Sequence, residues 1–356
     1  YIDTSIAMSS AVENVEYLHS IIEFVESKVD LEEPGENMQT IEIFYTEDEV
    51  ADFVSLGLNQ EFDIDNVFKP QSLILAGGRR GSGKSVTCTN IANNVYERGK
   101  SALYYTIEMT TTEILQRQCS NGTGVPLSKI ERRTLSPNDL KTIGRWWADR
   151  FEDSEKTYKN FLVDLDFDAF HNNLKKLPLR QDRILDIIYD PELSISKLKH
   201  SLDVKMAKGN VGVIVVDYIN QVVGKNSAKL GQYDWVQQVE IAKELKRIAQ
   251  EYNCLVYSAY QTDANGEARF SKGILDAADA AYSLEPHGEE DNCFTFDCQK
   301  RRGGPEISFT SEMNWPTLKI GPKSAISPKQ KQKMKDSMET GEDVEDAFIA
   351  LAQAIS

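Results

Sequence analysis

Residues 72–90 read SLILAGGRRGSGKSVTCTN, and the fold turns on how this stretch is understood. An apolar run ends at Gly77, a glycine-rich turn follows, and VTCTNIANNVYERG continues with a helical pattern. Gly78-Arg79-Arg80-Gly81-Ser82-Gly83-Lys84-Ser85 satisfies G-x-x-x-x-G-K-[ST] between a strand and a helix, the setting a phosphate cradle requires. Its glycines let backbone N–H groups converge on phosphate oxygens without Cβ clashes, and the positive end of the next helix adds to the anion site. Lys84 then reaches the β- and γ-phosphates, and the Ser85 hydroxyl becomes a ligand for Mg²⁺. The expected ligand is ATP or another nucleoside triphosphate, held by residues 78–85 together with Val86.

Outward from the cradle, residues 67–322 alternate β-like apolar runs with helical patterns, as a mostly parallel sheet covered by helices does. The predicted strands are SLILAG, SALYYTIE, RILDIIYD, VGVIVVDY, CLVYSAYQ, AAYSLE and NCFTFDCQ. Residues 1–66 are strongly acidic, and Val12, Val15, Leu18, Ile22, Val25 and Val29 mark one helix face before the break at DLEEPGEN. Residues 323–339, polar and lysine-rich, read as a linker, and EDVEDAFIALAQAIS reads as a short amphipathic helix at its end. The chain starts at Tyr1 rather than Met, as a piece of a longer protein would.

Composition narrows the function classes. No apolar run approaches the roughly 20 residues of a membrane span, and no signal peptide opens the chain. The five cysteines are odd in number and lack zinc or CxxC spacing, so reduced thiols and a cytoplasmic location are expected. A net charge of −16 argues against a protein that coats DNA with its whole surface, but not against a channel lined by a few basic residues. The four histidines (His19, His171, His200, His287) are scattered and offer no metal set. Trp146 and Trp147, in IGRWWADRF, suit helix packing better than base stacking.

A phosphate cradle needs further parts. VGVIVVDY closes an apolar strand with Asp217, placed for a second Mg²⁺-holding acid. SALYYTIEM puts Glu108 at another strand end, where a carboxylate can orient and deprotonate water. CLVYSAYQ delivers Gln261 to a third, where an amide can sense the γ-phosphate. Ligands of α/β sheets sit at the carboxyl ends of strands, which is where all these groups fall.

The ordered set GGRRGSGKS, YTIEM, VIVVDY, SAYQ and QKRRGGPEISF resembles the motor domain of DnaB-type hexameric replicative helicases, tailed-phage versions particularly. The resemblance covers about residues 50–322 and implies a RecA-like P-loop NTPase fold. It leaves 1–49 as an acidic segment with a linker helix (about 9–29) and 323–356 as a C-terminal tail. It implies Glu108 as catalytic base, Asp217 as the metal-holding acid and Gln261 as the γ-phosphate sensor. Arg117, nine residues after Glu108, matches the arginine that stacks on the nucleotide base. KRRGGP matches the segment that supplies a lysine and an arginine finger, here Lys300 and Arg302, to the neighbouring subunit's site. The family implies a homo-hexamer, single-stranded DNA as track, 5′→3′ movement and coupling to primase, a helicase loader or polymerase. The closing residues 341–356 read either as a docking peptide for such a partner or as a segment that folds back on its own domain. A bacterial host cytoplasm is implied if the chain is phage-encoded.

The chain also departs from that pattern. Residues 1–356 are read as lacking the family's globular N-terminal domain, with only the candidate linker helix before the motor, and residues 156–182 look like an insertion. The DNA-contacting loops are lean: Arg269 and Lys272 in one, Lys225 and Lys229 in the other, each equally readable as an ordinary solvated loop. A few cations per subunit suffice only when several subunits present them around one strand. Two alternatives stay open, a recombinase-like filament ATPase of the same fold and a non-motor protein that binds nucleotide to fix its assembly.

Overall fold

The structure is a computed structural model that describes residues 53–206, 211–223, 235–262, 272–288 and 290–340. Its centre is β1 (Leu73–Gly78), buried along its whole length. Leu73 and Leu75 face one core, and Ile74 and Ala76 the other. That two-residue alternation inside a continuous apolar run is what a strand covered on both faces requires.

Around it lie β2 (Ser101–Thr106), β3 (Leu185–Tyr189), β4 (Val211–Asp217), β5 (Leu255–Gln261), β6 (Ala280–Pro286), β7 (Cys293–Arg301), β8 (Phe309–Asn314) and β9 (Lys319–Ser324). They form one nine-stranded sheet in the order β3-β2-β4-β5-β1-β6-β7-β8-β9. Pairing is parallel from β3 through β6 and antiparallel from β6 to β9. Register brings Gly78 beside Gln261 and Thr106 beside Asp217, so four strand ends lie along one edge, with Gln261 two residues beyond the level of Asp217. All seven expected strands are present. The two unforeseen ones, FTSEMN and KIGPKS, are polar strands at the sheet's antiparallel end, where half-exposed positions blunt the apolar signal.

The first helices are α1 (Gln60–Asp65) and α2 (Lys84–Glu97), which follows the glycine-rich turn. Every residue of α2 from Val86 to Tyr96 is buried. Its asparagines are therefore internal connectors, each paired as burial demands. Asn94 donates to the carbonyls of Leu56 and Gly57, and Asn93 to that of Gln118. Asn90 donates to the Leu318 carbonyl at 2.8 Å, while its Oδ1 accepts from the Ile320 N–H at 2.9 Å and from Asn121 at 2.7 Å.

Between β2 and β3 stands a helical insert: α3 (Thr111–Thr123), α4 (Leu127–Arg132), α5 (Pro137–Ala148), α6 (Glu155–Asp164) and α7 (Phe167–Leu174). Capping boxes Thr110/Glu113 and Ser136/Asp139 set the starts of α3 and α5. The segment expected as an insertion, 156–182, supplies most of α6 and all of α7, whose Phe161 and Phe170 stack at 4.3 Å. Trp147 packs against this cluster, and Trp146 packs with Cys119, Val125 and Ile143, so both tryptophans are packing residues.

The remaining helices are α8 (Ile195–Met206), α9 (Trp235–Glu251), α10 (Lys272–Ala277) and α11 (Pro328–Thr340). The linker expected at 323–339 is corrected here: β9 runs to Ser324, and α11 fills most of the rest. Its lysines read as a polar tether, yet they bind the surface acids, Lys329 to Glu285 and Lys331 to Asp291. The linker helix at 9–29 and the tail at 341–356 lie outside the described residues. Among those described, no helix is long and apolar enough to cross a membrane.

Candidate nucleotide site

The turn from β1 into α2 is shaped by steric limits. A Cβ on Gly78 would lie 2.0 Å from the Ser82 hydroxyl. Gly83, the residue before α2, has φ +81°, and a Cβ there would lie 2.7 Å from the Phe294 ring. Only glycine meets both conditions without strain.

This turn forms one wall of a cavity of about 540 Å³, a volume suited to a small-molecule ligand. Arg80, Gly81, Gly83, Lys84, Ser85 and Val86 line it from the turn, with Glu108, Arg117, Tyr218 and Gln261 opposite. Arg79 and Ser82 stand outside that lining, Arg79 exposed and Ser82 buried. Gly78 lies at the end of β1, and its carbonyl accepts from Lys84 Nζ at 3.0 Å, as the Arg79 carbonyl does at 2.7 Å. Burial holds the Lys84 ammonium below its ordinary pKa, against the pull of Asp217 and Glu108.

Asp217 closes β4 and is 3% exposed. The Tyr104 hydroxyl donates to its Oδ2 at 2.8 Å, whereas Oδ1 is buried with no donor. Burial raises its pKa, and the hydrogen bond from the Tyr104 hydroxyl opposes that rise. A buried carboxylate oxygen without a donor, beside a hydroxyl at the foot of a phosphate loop, fits a hard divalent cation. Among the described residues no cluster of three or more His, Cys, Asp or Glu could hold a metal.

Glu108 lies two residues beyond β2, on the turn before α3. Its Oε1 accepts from Gln221 Nε2 at 2.6 Å and from the Tyr218 hydroxyl at 3.1 Å. Burial first, then the Glu108 charge, pushes the Tyr218 phenol up to about 12. Arg117 reaches the cavity from α3. Gln261 ends β5, and its backbone N–H donates to Asn220 Oδ1 at 2.8 Å. The sequence reading missed Tyr218, Asn220 and Gln221. Their signal was the polar run YINQ directly after the strand-ending acid.

Two groups of expected residues are not brought to this cavity. Lys300 donates to the carbonyls of Leu275 and Asp276 at 2.6 and 3.0 Å. Arg302 donates to the Asp276 carbonyl at 2.6 Å and pairs with Asp279 at 3.6 Å. Both cations thus sit at the carbonyl end of α10, where helix polarity favours them. Of the expected DNA contacts, Lys225, Lys229 and Arg269 lie outside the described residues, and Lys272 opens α10. All five cysteines are buried and free.

Comparisons with known proteins agree with one another. The sequence profile of the DnaB-like helicase C terminal domain matches residues 57–273, more than half of the chain. The "Probable replicative DNA helicase" of Trieres chinensis is 26% identical over 226 residues, 62% of this chain and 42% of that protein. The protein of the same description from Guillardia theta is 22% identical over 215 residues, 59% of this chain and 31% of that one. The chain therefore spans less than half the length of either relative. Among solved structures, an ATPase domain superposes with a TM-score of 0.60 at 15% identity, covering 79% of this chain and 96% of that one. A DnaB-like replicative helicase, solved with its interactions with primase, also gives 0.60 at 15% identity, over 87% of this chain and 72% of that one. At that identity the likeness establishes the fold, a mixed sheet flanked by helices as in RecA-like ATPase domains.

Proposed function

Because the chain belongs to the DnaB-like helicase C-terminal domain family, we propose that it is the ATP-driven motor of a replicative DNA helicase. The observation that carries this reading is one cavity collecting Lys84, Ser85, Glu108, Arg117 and Gln261 at the carboxyl edge of the parallel strands. A site built only to hold nucleotide has no use for a carboxylate poised beside the phosphate loop.

In this reading the loop amides and Lys84 bind the triphosphate of ATP or another nucleotide. Ser85 and Asp217 would hold Mg²⁺, which supplies charge neutralisation on the β- and γ-phosphates. Glu108 accepts the proton of the attacking water, Gln261 senses the γ-phosphate, and Arg117 stacks on the base. Lys300 and Arg302 act on a neighbouring subunit's nucleotide, a role supported by their position outside their own cavity. The assembly is a homo-hexameric ring around single-stranded DNA, moving 5′→3′, with Lys225, Lys229, Arg269 and Lys272 as track contacts. Primase, a loader or polymerase would meet residues 341–356. A cytoplasmic site of action, in a bacterial host for a phage-encoded chain, fits the free thiols.

The test is Glu108→Gln. It should bind a fluorescent ATP analogue as wild type does, yet lose about 100-fold or more in DNA-stimulated turnover and all fork unwinding. Near-wild-type turnover, or a wild type that neither responds to single-stranded DNA nor opens a fork, sinks the assignment.

A further inference from the structure

The segment after β4 holds more than its metal acid. Tyr218 precedes a 3₁₀ turn, Ile219–Gln221, and three polar side chains of this segment reach out in two directions. Gln221 Nε2 donates to Glu108 Oε1 at 2.6 Å and to the Tyr218 hydroxyl at 2.9 Å. The Tyr218 hydroxyl donates in turn to the same Glu108 oxygen at 3.1 Å. Asn220 points the other way: it accepts from the Gln261 N–H and donates to Gln238 Oε1 at 2.9 Å, with Gln238 itself 4% exposed. Ile219 is fully buried beneath them. The turn is thus anchored to β5 and α9, and its free side presents a closed triangle of hydrogen bonds to Glu108.

Both donors take Oε1, and among the described residues Oε2 has no donor. Glu108 and Tyr218 line the cavity, whereas Gln221 does not. We infer that Gln221, and Tyr218 with it, are positioning residues that pin one oxygen of Glu108 so that Oε2 is the one that receives the proton of the attacking water. The inference rests on Glu108 as the base. In the step, the water oxygen bonds to the γ-phosphorus and the bond from that phosphorus to the β–γ bridging oxygen breaks. The electron pair leaves with the nucleoside diphosphate, and the water proton goes to Oε2. A glutamate on an exposed turn has three rotatable bonds, and a misplacement of about 1 Å can cost about 100-fold in rate, so two fixed donors on one oxygen matter.

Steady-state hydrolysis of Mg-ATP and binding of a fluorescent ATP analogue are compared for Gln221→Met, Tyr218→Phe, Glu108→Gln and the double variant Glu108→Gln/Gln221→Met. Gln221→Met keeps the side chain's length without its donor. Its kcat should fall by about tenfold or more, with KM and analogue affinity within about twofold of wild type. Tyr218→Phe keeps the ring and should lose about three- to tenfold in kcat. The double variant should be no more than about twofold slower than Glu108→Gln alone, because a residue that acts through the carboxylate has nothing left to act on. Near-wild-type kcat in Gln221→Met, or losses that multiply in the double variant, overturn the inference. Should Gln221→Met fail to fold, Tyr218→Phe and its double with Glu108→Gln decide by the same criterion. Glu108→Gln measured alone separates the two failures: if it keeps its turnover, the base assignment falls and this inference with it.

Discussion

Whether the cavity is completed by a second subunit can be read from a mixture of two inactive proteins. Lys84→Ala removes the proposed triphosphate anchor and leaves Arg302 in place, and Arg302→Ala does the reverse. Arg302 stands outside its own cavity, held by the Asp276 carbonyl and by Asp279 at 3.6 Å, with its side chain 52% exposed. Such a solvent-screened pair is worth about 0–1 kcal/mol, so its loss leaves the fold intact. An arginine finger, by contrast, is worth about 10³–10⁵ in kcat, so each variant alone should show under about 1% of wild-type turnover. In a head-to-tail ring assembled at equal mixing, an interface works when its cradle comes from an Arg302→Ala chain and its finger from a Lys84→Ala chain. Two independent even choices give about a quarter of interfaces, hence about a quarter of wild-type ATPase. Fork unwinding recovers less wherever translocation needs consecutive working sites. The assay mixes the proteins before nucleotide is added and follows phosphate release, with subunit exchange verified by energy transfer between labelled chains. If exchange is demonstrated and the mixture stays as inactive as its parts, Arg302 does not act across an interface, and the ring reading loses its main support.

Two predictions concern stability. Asn90→Ala strips partners from the Ile320 N–H, the Leu318 carbonyl and Asn121 in a fully buried setting. It should cost about 3 kcal/mol in urea unfolding while ATP-analogue affinity is preserved, and a change below about 1 kcal/mol would refute the connector role. Glu113, the capping partner of Thr110, has a pKa lowered by the Thr110 backbone N–H and then by its hydroxyl. A carboxylate whose folded pKa is depressed contributes stability above its unfolded pKa and loses it as pH falls through the folded value. Glu113→Ala should therefore lower Tm by about 1–2 °C at pH 7, a difference that shrinks as pH is lowered through and below the ordinary carboxylate range, and a difference independent of pH argues against the capping charge.

The glycine-rich turn was legible because each of its requirements is local. Glycines at 78, 81 and 83, a lysine and a serine follow one another within eight residues, and the flanking apolar run and helix are written in adjacent sequence. Strand-ending polar groups were legible for the same reason. In a sheet buried on both faces, a long apolar run that stops at Asp217 or Gln261 marks its own carboxyl end. The family resemblance added Arg117 to the set, and the cavity includes it.

Other features depend on contacts that no local pattern encodes. VTCTNIANNVYERG carries a helical pattern, yet only the fold shows that β9, α3 and the segment at 54–58 take the hydrogen bonds of its asparagines. KRRGGP announces a basic turn. Only the pairing of β6 with β7 shows that its cations rest on the carbonyl end of α10 and away from their own cavity. The Glu108 triangle joins positions 110 and 113 residues apart in the chain. The sequence alone determined which chemical groups the protein owns and at which strand ends they emerge, since those follow from propensity and burial along one segment. Tertiary structure alone decided which of them touch, because hydrogen bonds depend on distances of about 3 Å that sheet order and register set.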